Sequence, residues 1–413
     1  MRLGDKLEAA NNWLGVPARQ QLMSRLAVLY GALFVGTTFL VTFLVSGLTY
    51  GAGGVIGADF LAFYTAGDMT LQGRAIDAYE FDAFDAALQT RVPQDGLGLM
   101  WQYPPAMFFI TAVLAMLPYK VSYWTWMLVT GGAFAWATNR LARDAATAPD
   151  LQRQAVLLLL AAPLCVGVFI NGQISLLTAA LLMLAAYRPK RDWLVAGLAA
   201  GLLTLKPQLG LLLPLAYLAV GAWRAIGVAA VTAMAIHGLA LLVFGPESLS
   251  AFVNAVSRLQ ADVAGGGVNT PPVAMTTLFG QLRFWEVPAG IALSLQHVTA
   301  LGVAVVVMFS WFRFGRQDGQ DLFLAALLCC GAILVTPYAY AYEMTALAPA
   351  ALLLAFQPGR LARFAMVLLT GFWLVLALRR LIPPDFVLQL PFWIAISAFS
   401  LLLASRFGSQ NNA

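Results

Sequence analysis

Charge is what this chain has least of. Only 10% of its 413 residues are Asp, Glu, Lys or Arg, against about 25% in soluble globular proteins, which excludes a water-soluble domain of this length. Histidine is scarcer still. His237 and His297 stand alone in apolar stretches, where a hydrogen-bonded packing role is the expected one. The three cysteines, Cys165, Cys329 and Cys330, also lie in apolar runs, so neither a disulfide framework nor a metal site is indicated. The loops contain no Asp-X-Asp pair of the kind that holds a divalent cation against a nucleotide-sugar pyrophosphate.

What is present is hydrocarbon. The chain is 61% hydrophobic with a mean hydropathy of +0.79, and apolar runs recur along almost all of it. It reads as an all-α polytopic membrane protein, residues 1–413 forming one transmembrane domain embedded in the lipid bilayer. The net charge of +5 points to no nucleic acid, because basic cytoplasmic loops carry such an excess under the positive-inside rule.

Candidate spans are 26–48, 121–138, 155–170, 173–187, 193–205, 207–221, 225–244, 290–312, 320–336, 341–357, 361–380 and 386–404. Two further pieces, 105–118 and 273–284, are short for a crossing. With Arg2, Lys6, Arg19 and Arg25 ahead of the first span, residues 1–25 are assigned to the cytoplasm. Residues 50–120 then form a first outer loop and 246–289 a second. Alternation places Arg140/Arg143, Arg188/Lys190/Arg191, Arg224, Arg313/Arg316, Arg360/Arg363 and Arg406 inside. About twelve spans with both termini cytoplasmic satisfy this pattern.

One consequence concerns Leu202–Leu213, LLTLKPQLGLLL, where a lysine interrupts a lipid-like stretch. RPKRD (188–192) and Trp223-Arg224 both belong inside, so residues 193–221 go out and return, turning at Lys206-Pro207. Residues 193–205 rise only about 20 Å as a helix, short of a hydrocarbon core of about 30 Å. Lys206 is therefore expected below the outer surface, at the tip of a sunken hairpin. Residues 155–187 have the same form, with a turn at Asn171-Gly172-Gln173. Two sunken polar tips imply a cavity open to the outer side, since irregular backbone at membrane depth needs such cover. Snorkelling to an interface is the alternative for Lys206.

The first outer loop opens GADFLAFYTAGDM, and a helix over 58–72 would put Asp59 and Phe63 on one face with Tyr64 beside it. Asp59 reads equally as a helix N-cap or as a catalytic acid facing the cavity. Tyr103-Pro104-Pro105 fixes the return of the loop over the cavity mouth. In the second loop, Phe252, Val256 and Leu259 follow an interfacial helical pattern, and Gly265–Gly267 forms a hinge. That segment is either a lid or a loose connection. Late in the chain, Tyr338, Tyr340, Tyr342 and Glu343 gather aromatic and acidic groups on the same side as Asp59 and Lys206.

The order of these pieces is familiar: DFLAFYTAG, LQGR, YPP, LPY, NGQISLL, LAGL, LKPQ and a late TPY. Over roughly residues 55–345 the chain resembles glycosyltransferase family 87, polytopic enzymes of the GT-C superfamily. That family includes polyprenyl-phosphate-mannose-dependent mannosyltransferases and related arabinofuranosyltransferases. The resemblance implies a GT-C-type bundle with a helical first outer loop, in a bacterial plasma membrane, its site facing the periplasm or exterior. It implies transfer of a sugar, mannose foremost, from a polyprenyl-phosphate donor to a lipid or glycan acceptor, with inversion and without a cofactor or metal. Asp59 matches the family's catalytic base, and Lys206 matches a lysine expected near the lipid phosphate. Gln173 and Gln208 match polar cavity positions, and Tyr64, Tyr103, Tyr338 and Glu343 complete the candidate substrate pocket. Tyr338 stands where many members carry histidine. The rival class is a polyprenyl-lipid flippase or secondary transporter, for which broken helices are also suited.

Overall fold

Glycine and proline cut the apolar stretches into helices of uneven length. The computed structural model describes residues 17–45, 47–50, 54–92, 99–145, 149–265, 275–355 and 384–407. Those residues are helical throughout, apart from a two-residue ladder pairing Thr49–Tyr50 with Gly54–Val55. The first helix, α1 (Pro17–Leu44), is followed by α2 (Ala58–Leu71), α3 (Phe81–Gln89), α4 (Met107–Ala115) and α5 (Tyr119–Ala145). Next come α6 (Pro149–Leu160), α7 (Pro163–Asn171), α8 (Ser175–Ala186) and α9 (Trp193–Leu202). Then follow α10 (Leu213–Val220), α11 (Trp223–Phe244), α12 (Glu247–Gly265) and α13 (Leu278–Phe284). The last are α14 (Ala289–Phe314), α15 (Asp321–Val335), α16 (Ala348–Ala355) and α17 (Pro384–Phe407).

Two of these, α11 and α14, are long and apolar enough to cross a membrane. Residues Gln152–Leu160 and Pro163–Asn171 would make a third crossing, bent by 51° where Pro163 starts a new helix. The other apolar helices are shorter, among them Ser175–Ala186, Trp193–Leu205, Pro207–Val220 and Asp321–Val335. The expectation of about twelve separate full spans thus resolves into a few long helices and several short or broken ones. The reason is local: Pro163, Gly172 and Pro207 each interrupt a run that hydropathy alone reads as continuous. The expected span at 361–380 and the glycine hinge beyond Gly265 lie outside the described residues.

The short helices are the inner ones. α8 and α15 are buried along nearly their whole lengths, whereas α11 and α14 expose Leu242, Val243, Val298 and Leu301 to their surroundings. An apolar helix that faces lipid must span it. One sheltered by protein need not.

The residues around Asp59 form a compact unit. α2 lies so close on α4 that a Cβ at Gly67 would overlap the backbone of Thr111. Three aromatic donors from α5 then pin its start to the 171–173 tip. Tyr119 Oη donates to the Ile56 carbonyl (2.7 Å), Tyr123 Oη to that of Ile170 (2.7 Å), and Trp126 Nε1 to that of Gly172 (3.0 Å). Gly172 has φ +73°, and a Cβ there would run into the Cβ of Phe60.

At its far end α8 reaches a charged cluster. Arg188 bonds Asp144 (2.5 Å) and Asp321 (3.1 Å), Arg191 bonds Asp318 (2.5 Å), and Arg140 bonds Asp192 (2.7 Å). The helix therefore joins two different ends of the molecule, one ionic and one built around Gln173.

Candidate functional site

Asp59 occupies the first turn of α2, whose N-cap is Gly57 in the left-handed region (φ 63°). The capping reading of Asp59 is thereby corrected, because a left-handed glycine already turns the chain into the helix. The Asp59 side chain has no hydrogen bond or ion pair among the described residues. Burial raises its carboxyl to about 6, with nearby Lys206 pulling the other way. A first-turn position also favours the anion, so desolvation is the larger effect.

Lys206 sits between two 3-10 segments, Leu203–Leu205 and Pro207–Gly210. Its N–H bonds the Leu203 carbonyl (2.8 Å), and the following proline bars it from helix. The residue is only 7% exposed. Its ammonium pairs with Glu343 and lies 5.2 Å from the centre of the Tyr342 ring. A buried ammonium held by a carboxylate does not snorkel to an interface.

Glu343 belongs to the 3-10 segment Ala341–Leu347 and is 3% exposed. Thr345 of the same segment donates to the Ser175 carbonyl (3.2 Å), tying this strip to the start of α8. Gln173, also buried, accepts from the Ile174 N–H (2.8 Å) and from Tyr103 Oη (3.4 Å). Tyr103 packs on Phe63 (5.0 Å) and Trp101 (5.1 Å). Its phenol is pushed up by burial, then by the charges of Glu343 and Asp59.

The structure thus gathers Asp59, Tyr103, Gln173, Lys206 and Glu343 around one spot and sets two other candidates apart. Tyr64 donates to the Leu117 carbonyl (2.8 Å) and carries the Arg91 guanidinium over its ring (4.9 Å). Five helical positions from Asp59, it braces α2 against the α4–α5 turn. Tyr338 packs on Phe279 (6.2 Å), under the second loop. There Thr276 N–H bonds the Ala339 carbonyl (2.7 Å) and Thr277 Oγ1 that of Pro337 (2.9 Å). Gln208 is half-buried in its 3-10 turn and has no side-chain partner among the described residues.

Tyr342 is the residue that sequence reasoning placed in a cluster without giving it a task. It stacks on Tyr340 (5.4 Å) and lies beneath Lys206. The alternation of tyrosines at 338, 340 and 342 was the available signal. It could not separate them, because the chain passes from extended at Tyr340 to a 3-10 turn at Ala341.

An apolar groove of about 480 Å³ runs beside α1, lined by Leu33, Phe34, Val41, Ile56, Gly57 and Ile170 among others. It ends at the start of the Asp59 helix. Among the described residues no group of three His, Cys, Asp or Glu could hold a metal ion.

Residues 101–337, more than half of the chain, match the family model described as Glycosyltransferase family 87. Tyr103, Gln173, Lys206 and Gln208 fall within the match; Asp59, Tyr64, Tyr338 and Glu343 lie outside it. No curated protein and no solved structure matches.

Proposed function

From the premise that the chain belongs to glycosyltransferase family 87, we propose that it moves a sugar from a polyprenyl-phosphate donor to a hydroxyl acceptor. The donor's isoprenoid tail would lie in the groove beside α1 and its phosphate would meet Lys206. Asp59 would take the proton of the acceptor hydroxyl. As that oxygen bonds the anomeric carbon, the bond from the carbon to the phosphate oxygen breaks, and its electron pair leaves on the phosphate. An ammonium fixed beside the leaving oxygen stabilises the charge that develops there.

The observation that carries this reading is electrostatic. Lys206 is close enough to Asp59 to offset part of the burial penalty on its carboxyl. A base and a phosphate-binding cation within each other's field are what such a displacement requires. The base differs from the ordinary carboxylate that sequence reasoning assumes. A carboxyl near 6 is a stronger base than one near 4 and is still ionised at neutral pH. With Glu343 engaged by Lys206, a single carboxylate faces the acceptor, and direct displacement inverts the anomeric centre. The bundle would be of the GT-C type, one transmembrane domain in a bacterial plasma membrane with this site on the non-cytoplasmic face. Mannose is the first sugar to test.

The test is reconstitution with a panel of polyprenyl-phosphate sugars and mass spectrometry of the lipid products, beside an Asp59→Asn variant. Transfer by the wild type and its loss in the variant, with binding of the donor retained, is the expected result. Transfer at the wild-type rate by Asp59→Asn rejects the base, and solute uptake into proteoliposomes without transfer favours a carrier.

A further inference from the structure

A second cavity, of about 300 Å³, lies between the segment after α2 and helix α12, with Tyr79, Phe81, Asp82, Trp101, Gln102 and Arg258 among its walls. We propose that this cleft binds a neutral carbohydrate chain, the glycan portion of the acceptor; the inference rests on the transfer reading above and names its acceptor class.

The lining argues for the ligand. Its volume is at the lower end of small-molecule sites and suits a short saccharide rather than a whole lipid. Aromatic surfaces offer faces for the C–H side of sugar rings, while Asp82, Gln102 and Asp262 present groups for hydroxyls. An anionic head group is disfavoured, because Glu80, Asp82 and Asp262 border the space. The one cation in the lining, Arg258, is already committed, bonding both Glu80 oxygens (3.0 and 3.1 Å) and the Tyr79 carbonyl (3.2 Å). That pair is exposed on both sides, so it contributes little stability. What it does is hold α12 over the 76–80 segment and keep the cleft open at a fixed width.

The position argues for the acceptor. From one wall, Trp101 touches Tyr103 (ring centres 5.1 Å apart), whose phenol feels the charge of Asp59. From the other, Asp262 lies near Tyr340, which stacks on Tyr342 beneath Lys206. The cleft thus meets the reaction centre through two aromatic steps, one toward the base and one toward the lysine. A chain lying in it points its terminal sugar at Asp59. The apolar groove beside α1 approaches the same helix from the other direction and lacks such polar groups near its end, apart from Asn171.

The test uses the full chain in detergent with two readouts. Saturation-transfer NMR with neutral di- and trisaccharides needs no donor. Transfer to octyl glycosides of one, two and three sugars reports the same contacts during turnover. In the wild type, KM should fall as the acceptor lengthens. In Phe81→Ala/Gln102→Ala the ratio of the trisaccharide KM to the monosaccharide KM should rise about tenfold, and the saturation signal should disappear. Gln102→Ala alone, at an exposed position, keeps the test open should the double variant fold poorly. Unchanged length dependence, or no saturation transfer to any oligosaccharide with wild-type protein, overturns the proposal. Binding of oligosaccharide without transfer from any donor would leave the cleft standing and reject the reaction instead.

Discussion

At the scale of single residues the site is a contest between burial and neighbours. Asp59 is raised to about 6 because desolvation outweighs the attraction of Lys206. A base must be deprotonated to act, so kcat/KM should rise with pH and level off above about 6, rather than near the 4 of an exposed aspartate. A pH profile with its acid limb at 4 would separate Asp59 from the rate. Asp59→Asn should lower turnover by about 10²–10⁴-fold, the usual contribution of a positioned general base. The Lys206–Glu343 pair makes a different prediction. Both members are buried, and removing one leaves the other unpartnered at a cost of about 3–5 kcal/mol. Glu343→Leu should therefore destabilise the protein, and Lys206→Met/Glu343→Leu should regain most of that loss while remaining inactive. Thermal unfolding and transfer assays on the three proteins check it; an active double variant would remove Lys206 from the mechanism. Asp59 and Lys206 were legible in the sequence because a lone charge in apolar surroundings is rarely idle. Glu343 was legible as an acid, but its partner was not, since 137 residues separate the two.

At the scale of elements, close approach does the positioning. The 171–173 tip meets α2 through Gly172, which combines a left-handed backbone with contact against Phe60. Gly172→Ala should impair both stability and transfer. The strained backbone and the overlap together predict at least about 1 kcal/mol, and displacement of the neighbouring Asp59 predicts a fall in kcat beyond what lost folded protein explains. Wild-type kcat in the folded fraction would mean that α2 does not depend on this tip. The hairpin turn itself was readable from Asn171-Gly172-Gln173. That it leans on α2 was not, because nothing in a local pattern says which distant helix fills the space beside a glycine. The separate fates of Tyr64 and Tyr103 have the same cause. Helical spacing puts Tyr64 near Asp59 in sequence, yet five residues turn it toward Leu117 and Arg91.

At the scale of the whole molecule, length and exposure divide the helices into an outer lipid-facing set and an inner short set. The charged cluster of Arg140, Asp144, Arg188, Arg191, Asp318 and Asp321 lies at the far end of α8 from Gln173. If the two ends face opposite sides of the membrane, single cysteines replacing Asp318 and Asp82 should react with an impermeant maleimide from opposite sides of sealed vesicles. The native cysteines are buried and should give little background. Labelling of both from one side would overturn the orientation and, with it, the access of a lipid-linked donor to Asp59.

Composition alone settled that this chain lives in a bilayer, because so few charges cannot keep 413 residues soluble. Proline, glycine and charge placement along the chain were enough to locate the broken hairpins and to single out Asp59 and Lys206, since these are local or one-dimensional properties. Which helices cross fully, which acid meets the lysine and which tyrosines face the site were decided only by packing. Such contacts join segments far apart in the chain, and the energy of burying one charge depends on what folds over it.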